Sequence, residues 1–210
     1  MRHQHLTQLI CTLVVATALV GLPTVAFAGI AGSGHDLSIN GWSGGEICAV
    51  CHTPHNADTT AGLGAPLWDH EVTTQTYTIY SSTTLDGAIG QPSGVSKLCL
   101  SCHDGSVALD SFGGVTGTVF MGAYNPSANF GTDLSNDHPI SIDYDVTDIG
   151  LNPVTDPSGL PAGGDIDTDM LFAGNVECAS CHDVHRDVVV ANLLVKLNAG
   201  SDLCLTCHNK

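Results

Sequence analysis

The pattern Cys-x-x-Cys-His occurs four times in this 210-residue chain and accounts for eight of its nine cysteines. The four copies are Cys48/Cys51/His52, Cys99/Cys102/His103, Cys178/Cys181/His182 and Cys204/Cys207/His208. Two thiols at this spacing can add to the two vinyl groups of one haem, and the adjoining histidine can reach the iron as its proximal ligand. Zinc sites and disulfides also use paired cysteines, but neither needs a histidine after every second cysteine. The pattern therefore predicts four covalently bound haem c groups, with iron bound by the four motif histidines.

Five other histidines follow residue 28 and could fill the second axial position of an iron: His35, His55, His70, His138 and His185. Imidazole on both faces gives a low-spin iron with no position open to a substrate. Methionine would raise the reduction potential instead, but Met121 and Met170 are more typical of packing than of ligation. The supply of histidines thus favours four closed, bis-histidine irons.

The spacing of the histidines limits how they can be shared. His55 follows His52 by three residues, as His185 follows His182, so each pair projects from nearly one side of a helical turn. Axial nitrogens lie on opposite faces of the porphyrin, about 4 Å apart for metal–nitrogen bonds near 2 Å, so such neighbours cannot bind one iron. We therefore expect the second histidine of each pair to bind a neighbouring haem, which would bring the rings close together.

The order of the residues suggests an assignment of the distal ligands. From the first motif to the fourth, the expected ligands are His35, His55, His138 and His185. His70 is left over. It can be a packed or surface histidine, a replacement for one of the four, or a ligand to the haem of a neighbouring molecule.

The ligand-type residues fall into two similar halves, which predicts two dihaem modules, residues 29–112 and 113–210, in one compact tetrahaem unit. The 182 residues after residue 28 provide about 45 residues per haem, too few for an ordinary core around each cofactor. Together with 24 glycines and nine prolines, this predicts a mostly irregular, haem-wrapped fold. We expect short helices at the motifs, a few short strands or extended arms within 73–81 and 140–146, and loops over 113–131 and 150–164. Residues 187–197 fit a strand or a short helix.

Residues 1–28 have the features of an export signal: a basic Arg2, an apolar run, and the small-residue cleavage site Ala26-Phe27-Ala28. The ninth cysteine, Cys11, would be removed with this segment. A retained membrane anchor is the alternative interpretation, against which Gly21 and Pro23 interrupt the apolar run. The sequence therefore predicts a protein exported to the periplasm or, preferentially, to the extracellular space, with no membrane anchor.

The charge of the chain restricts its partners. After residue 28, four basic residues stand against 21 acidic ones, a formal net charge of −17. Nucleic acid and anionic membranes are disfavoured by repulsion. The acidity can lower haem potentials or simply maintain solubility. Asp165, Asp167 and Asp169 resemble the start of a calcium loop, but the required glycine and closing glutamate are missing, so we expect a solvated acidic loop.

The motifs resemble the doubled Cys-x-x-Cys-His family of multihaem cytochromes c. The resemblance is carried by NDHPI at 136–140, CASCHDVH at 178–185 and LCLTCH at 203–208, and by CHTPHN at 51–56 and LCLSCHDG at 98–105. In layout and size the chain is similar to extracellular tetrahaem cytochromes of metal-reducing bacteria, some of which polymerise. That resemblance implies bis-histidine haems in alternating stacked and crossed pairs, with one axial histidine donated across a subunit interface. Monomeric periplasmic relatives share the motifs, so polymerisation into a homopolymer is less specifically indicated than haem binding.

Electron transfer without catalysis is the function that these features predict, with redox proteins or extracellular electron acceptors as partners. Two other classes remain open. A multihaem reductase of nitrite, hydroxylamine or a similar oxidant would need an iron with an open position and acid or base groups above it. A gas sensor would need one five-coordinate haem.

Overall fold

The computed structural model describes residues 29–58, 65–186 and 191–209. The export signal predicted for residues 1–28, together with Cys11, lies outside the described residues. Five short helices are present in the described part: α1 (Gly94–His103), α2 (Met121–Tyr124), α3 (Ile166–Met170), α4 (Cys178–Cys181) and α5 (Asp202–Cys207). Single 3-10 turns span Leu37–Asn40, Pro126–Ala128, Ala191–Leu193 and Ala199–Ser201. Two strands, β1 (Ile142–Asp143) and β2 (Asn175–Val176), pair antiparallel with Ile142 opposite Val176.

Most of the described chain is irregular, which confirms the prediction of a fold with little regular secondary structure. Within the same ranges, no helix combines the length and the apolar character needed to cross a membrane. The second, third and fourth motifs lie on α1, α4 and α5. The first motif is a single turn, in which the His52 main-chain N–H donates to the Cys48 carbonyl at 2.8 Å. The same bond, from histidine to first cysteine, closes the third and fourth motifs at 3.0 and 2.9 Å.

The two segments with alternating apolar residues form less strand than their pattern suggests. Residues 73–81 contain only one isolated bridge, between Thr78 and Asp133. At Tyr77, the main-chain hydrogen bonds are made with a side chain. The Tyr77 N–H donates to Gln91 Oε1 at 2.8 Å, and the Gln91 side-chain amide donates to the Tyr77 carbonyl at 2.9 Å. Of residues 140–146, two form β1.

The predicted loops differ in outcome. Residues 150–164 contain no helix or strand, as expected, whereas 113–131 include α2 and a 3-10 turn. Of 187–197, residues 187–190 lie outside the described part, and Ala191–Leu193 form a 3-10 turn.

Two small apolar clusters lie in the described part of the chain, and the first combines residues of both halves. The first consists of Tyr77, Leu100 and Leu134, with Ile79 and Ile140 packed against it. The second consists of Met170, Val195 and Leu203, and the motif cysteines Cys181 and Cys207 pack against it. Side chains alone therefore form little core, as expected for a chain in which cofactors supply apolar surface.

The halves meet where α1 packs against α4, through buried polar groups. The side chain of Glu177 is only 3% exposed. It accepts hydrogen bonds from the Ser96 main-chain N–H at 3.3 Å and from the Ser141 hydroxyl at 3.0 Å. The Ser96 hydroxyl in turn accepts from the Cys178 N–H at 2.9 Å. This junction fixes the second motif relative to the third.

Candidate haem sites

Cysteines of successive motifs are neighbours in space, so the four motifs follow one another in the fold as they do in the sequence. The hydrogen bond between Cys99 and Cys178, together with burial, raises the pKa of the Cys99 thiol well above its usual value. Burial, and then the nearby thiol of Cys51, raises the pKa of Cys102. Burial raises the pKa of Cys181 to about 11, with Cys207 and Cys204 contributing. The second motif thus lies beside the first and the third, and the third beside the fourth.

Hydrogen bonds fix the tautomer of three motif histidines. The Nδ1 of His52 donates to the Pro66 carbonyl at 2.7 Å, and that of His103 donates to the Ala128 carbonyl at 2.8 Å. His182 makes the equivalent bond at 2.8 Å. A proton on Nδ1 leaves the Nε2 lone pair available, which is the form that binds a metal. The donor set therefore fits haem c: two thiols for attachment and a correctly oriented imidazole for the iron.

Three pairs of histidine rings lie close together, tilted in two pairs and edge-on in the third, and each pair joins one motif histidine to one of the other histidines. The ring centres are 5.9, 6.1 and 6.3 Å apart in the pairs His35–His103, His52–His185 and His138–His208. Two imidazoles that bind one metal from opposite sides, with metal–nitrogen bonds near 2 Å, have ring centres about 6 Å apart. The three separations therefore match the spacing of axial ligand pairs.

These contacts differ from the pairing expected from residue order. His35 lies beside the second motif histidine instead of the first, and His138 lies beside the fourth instead of the third. His185 lies beside His52 instead of His208. Burial, followed by the nearby His103, His182 and His185, lowers the pKa of His35 to about 4. His35 is therefore neutral at neutral pH, as a metal ligand must be.

Two of the five distal candidates have different surroundings. The His55 side chain is exposed, and its carbonyl accepts from the Thr53 hydroxyl. His70 is buried, 2% exposed, and its Nδ1 and Nε2 lie 2.9 and 3.1 Å from the carbonyl oxygens of Glu71 and Ala108. Both ring nitrogens of His70 thus lie against the main chain, and Nε2 also lies 3.6 Å from the Sγ of Cys102, so His70 is packed against the second motif.

The methionines singled out in the sequence are packed, whereas the aspartates cap and form helix α3, where the sequence predicted a solvated loop. Met121 and Met170 are buried, at 7% and 2% exposure. Asp165 caps the N-terminus of α3 by accepting from the Thr168 N–H at 2.8 Å, and Asp169 accepts from the Ser158 hydroxyl. In the described ranges, no group of three or more metal-ligating side chains could hold a free ion.

Three side chains near the motif histidines were not identified from the sequence. The Phe130 ring stacks on His103, with centres 5.3 Å apart and planes 16° apart. The Trp68 ring lies edge-on to His52 at 5.9 Å. Arg186 follows His185 directly, and it is the only arginine after residue 28. A single arginine in an acidic chain was a sequence signal that could have identified Arg186. The sequence contains no comparable signal for Trp68 or Phe130.

Comparison with known families gave one match. Residues 171–210, which contain the third and fourth motifs, match the doubled CXXCH motif family. This match supports a multihaem c-type cytochrome and indicates covalent attachment of haem c through the CXXCH motifs. No curated protein matched the chain.

Proposed function

We propose that this protein transfers electrons through four bis-histidine haem c groups and is not itself an enzyme. The observation that carries the proposal is the set of three facing histidine pairs, each with one motif histidine and with ring centres about 6 Å apart. Haem c supplies reversible one-electron transfer when it is bound. The chain attaches it through the eight motif cysteines and orients it through the motif histidines.

The fourth axial pair follows from the internal duplication. His52 and His55 in the first half correspond to His182 and His185 in the second, with the same spacing of three. His52 faces His185 across the halves. The equivalent pair with the halves exchanged would be His182 with His55, and we propose it as the fourth axial pair.

The other two histidine pairs also correspond to each other between the two halves. His35 precedes both motifs of the first half and lies beside the histidine of the second motif. In the same way, His138 precedes both motifs of the second half and lies beside the histidine of the fourth motif. All four pairs therefore form one symmetric set. His70 is outside that set because its two ring nitrogens face carbonyl oxygens.

The arrangement of the motifs suits electron transfer from the haem of one motif to the haem of the next. The thiols of the first and second motifs, the second and third, and the third and fourth are neighbours. The buried junction of Glu177 with Ser96 holds the middle two together. Two imidazoles on each iron leave no position for an oxidant such as nitrite, which argues against the reductase alternative.

We further propose that the protein acts outside the cytoplasm, preferentially in the extracellular space, where it exchanges electrons with redox proteins or extracellular acceptors. Support comes from the export features of residues 1–28 and the strongly acidic composition. A cytochrome filament is the alternative to a monomeric shuttle. It would require one distal histidine to bind in a neighbouring subunit, and the exposed His55 is the side chain best placed to do so.

The decisive experiment uses the full chain matured in a host that attaches haem c. We expect four haem equivalents per chain in a pyridine haemochrome assay, only low-spin signals in EPR, and no carbon monoxide binding at native pH. Fewer than four equivalents would refute the tetrahaem proposal, and a high-spin iron would favour the reductase or the sensor. Negative-stain microscopy of the secreted protein distinguishes fibres from uniform small particles.

A further inference from the structure

We infer that Trp68 and Arg186 together bind a propionate of the haem attached to Cys48 and Cys51. The inference rests on the proposed function, specifically on His52 and His185 as the axial ligands of that haem. Nothing in the motif pattern assigns a role to either residue.

Both side chains have a buried donor that lacks a hydrogen-bond partner among the described residues: Nε1 of Trp68 and Nη1 of Arg186. An indole N–H and a guanidinium are donors only, so neither can be satisfied by another donor. Burying such a group unpaired is unfavourable, and most of all for a charged group. The orphaned donors therefore indicate an acceptor that is anionic.

Each donor belongs to a residue that adjoins the same histidine pair, His52 and His185, and each comes from a different half of the chain. Residue 68 forms a main-chain bridge with His52, and the Trp68 ring lies edge-on to the His52 ring at 5.9 Å. Arg186 directly follows His185, whose ring faces His52 at 6.1 Å. A group carried by the haem between these two imidazoles would be within the region that both donors border.

The chemistry of the donors selects a carboxylate. A guanidinium presents a planar fork that matches a carboxylate, and an indole N–H adds a third, single donor. Haem carries two propionates. In a chain with 21 acidic residues, a cation at this place also offsets negative charge near the iron, which stabilises the ferrous state and raises the reduction potential.

The test uses the full chain with all haems attached and measures the potential of each haem by spectropotentiometry. Arg186→Gln should lower the reduction potential of one haem. At a fixed applied potential, the ratio of reduced to oxidised iron should fall about tenfold, which corresponds to about 59 mV for a one-electron couple. Trp68→Phe should also lower the reduction potential of that haem, with about a threefold smaller ratio of reduced to oxidised iron. Arg186→Lys keeps the charge without the fork and should give an intermediate shift.

Matched controls separate this effect from general charge and packing effects. Lys97→Gln removes the same charge at the second motif, and Trp42→Phe replaces the other tryptophan, which packs on Tyr124. We expect both to leave every potential within about twofold of the original ratio. An equal shift with Lys97→Gln would overturn the inference, because a long-range charge effect would then suffice.

The outcomes also separate this inference from the proposed function. If Arg186→Lys, Arg186→Gln and Trp68→Phe retain four haems and four unchanged potentials, the donors do not bind a propionate of that haem and the inference is wrong, while the tetrahaem proposal stands. If the unsubstituted protein carries fewer than four haems, the proposed function fails first.

Discussion

Replacing His185 with alanine tests the exchange of distal ligands between the two halves. The His185 ring faces His52 at 6.1 Å, so its removal should open one iron out of four. We expect about a quarter of the haem to become high-spin and about one equivalent of carbon monoxide to bind per chain, since imidazole on both faces is what closes the iron. EPR and a carbon monoxide titration of the reduced protein measure both quantities.

The identity of the opened haem distinguishes the pairing in the structure from the pairing expected by residue order. Both give one open iron in His185→Ala, but on different motifs. Adding Cys48→Ala and Cys51→Ala removes the first haem. If His185 serves that haem, the triple variant has three closed irons and binds no carbon monoxide. If His185 serves the fourth haem instead, the triple variant still binds about one equivalent.

Carbon monoxide binding by that triple variant would therefore refute the pairing. A second combination keeps the test informative if the first variant fails to fold. His138→Ala with Cys204→Ala and Cys207→Ala should also bind none, because His138 faces His208. His70→Gln is the control for histidine loss, since the His70 ring nitrogens face main-chain carbonyls and its removal should open no iron.

Two further predictions concern stability. Ser96→Ala removes the buried hydroxyl that accepts the first N–H of α4, so we expect a loss of about 1–3 kcal/mol in the free energy of unfolding. Thermal unfolding measures this loss, and the exposed Ser82→Ala should change the free energy by less than about 0.5 kcal/mol. Tyr77→Phe removes a buried 2.6 Å hydrogen bond to the Asp104 carboxylate and should cost about 1.5–3 kcal/mol in the same measurement. Tyr80→Phe is its control, and equal destabilisation by both would contradict the role given to the Asp104 bond.

The attachment chemistry could be read from the sequence because it is local. Two cysteines and a histidine within five residues close one helical turn, as the bond from the His208 N–H to the Cys204 carbonyl shows, and their side chains then face one side. Composition was equally informative about the irregular fold, since 182 residues leave too little chain for a conventional core around each of the four haems that the motifs predict.

Which histidine faces which motif was decided only by the tertiary structure. His35 and His138 are far along the chain from the motif histidines that they lie beside, so residue order says little about where their rings lie. Long-range packing decides it: α1 meets α4 through the buried Glu177, which brings the halves together. The alternating residues 73–81 illustrate the same limit, because a side chain, Gln91, satisfies the Tyr77 main chain where a neighbouring strand was expected.

The environment of His70 and the orphaned donors of Trp68 and Arg186 also appear only in three dimensions. Burial and hydrogen bonding depend on which distant segments surround a side chain, and a single sequence contains no record of that. The sequence by itself indicated that haem c is attached and predicted which thiols attach it. The fold determined which imidazoles face each other, because that depends on contacts between residues far apart in the chain.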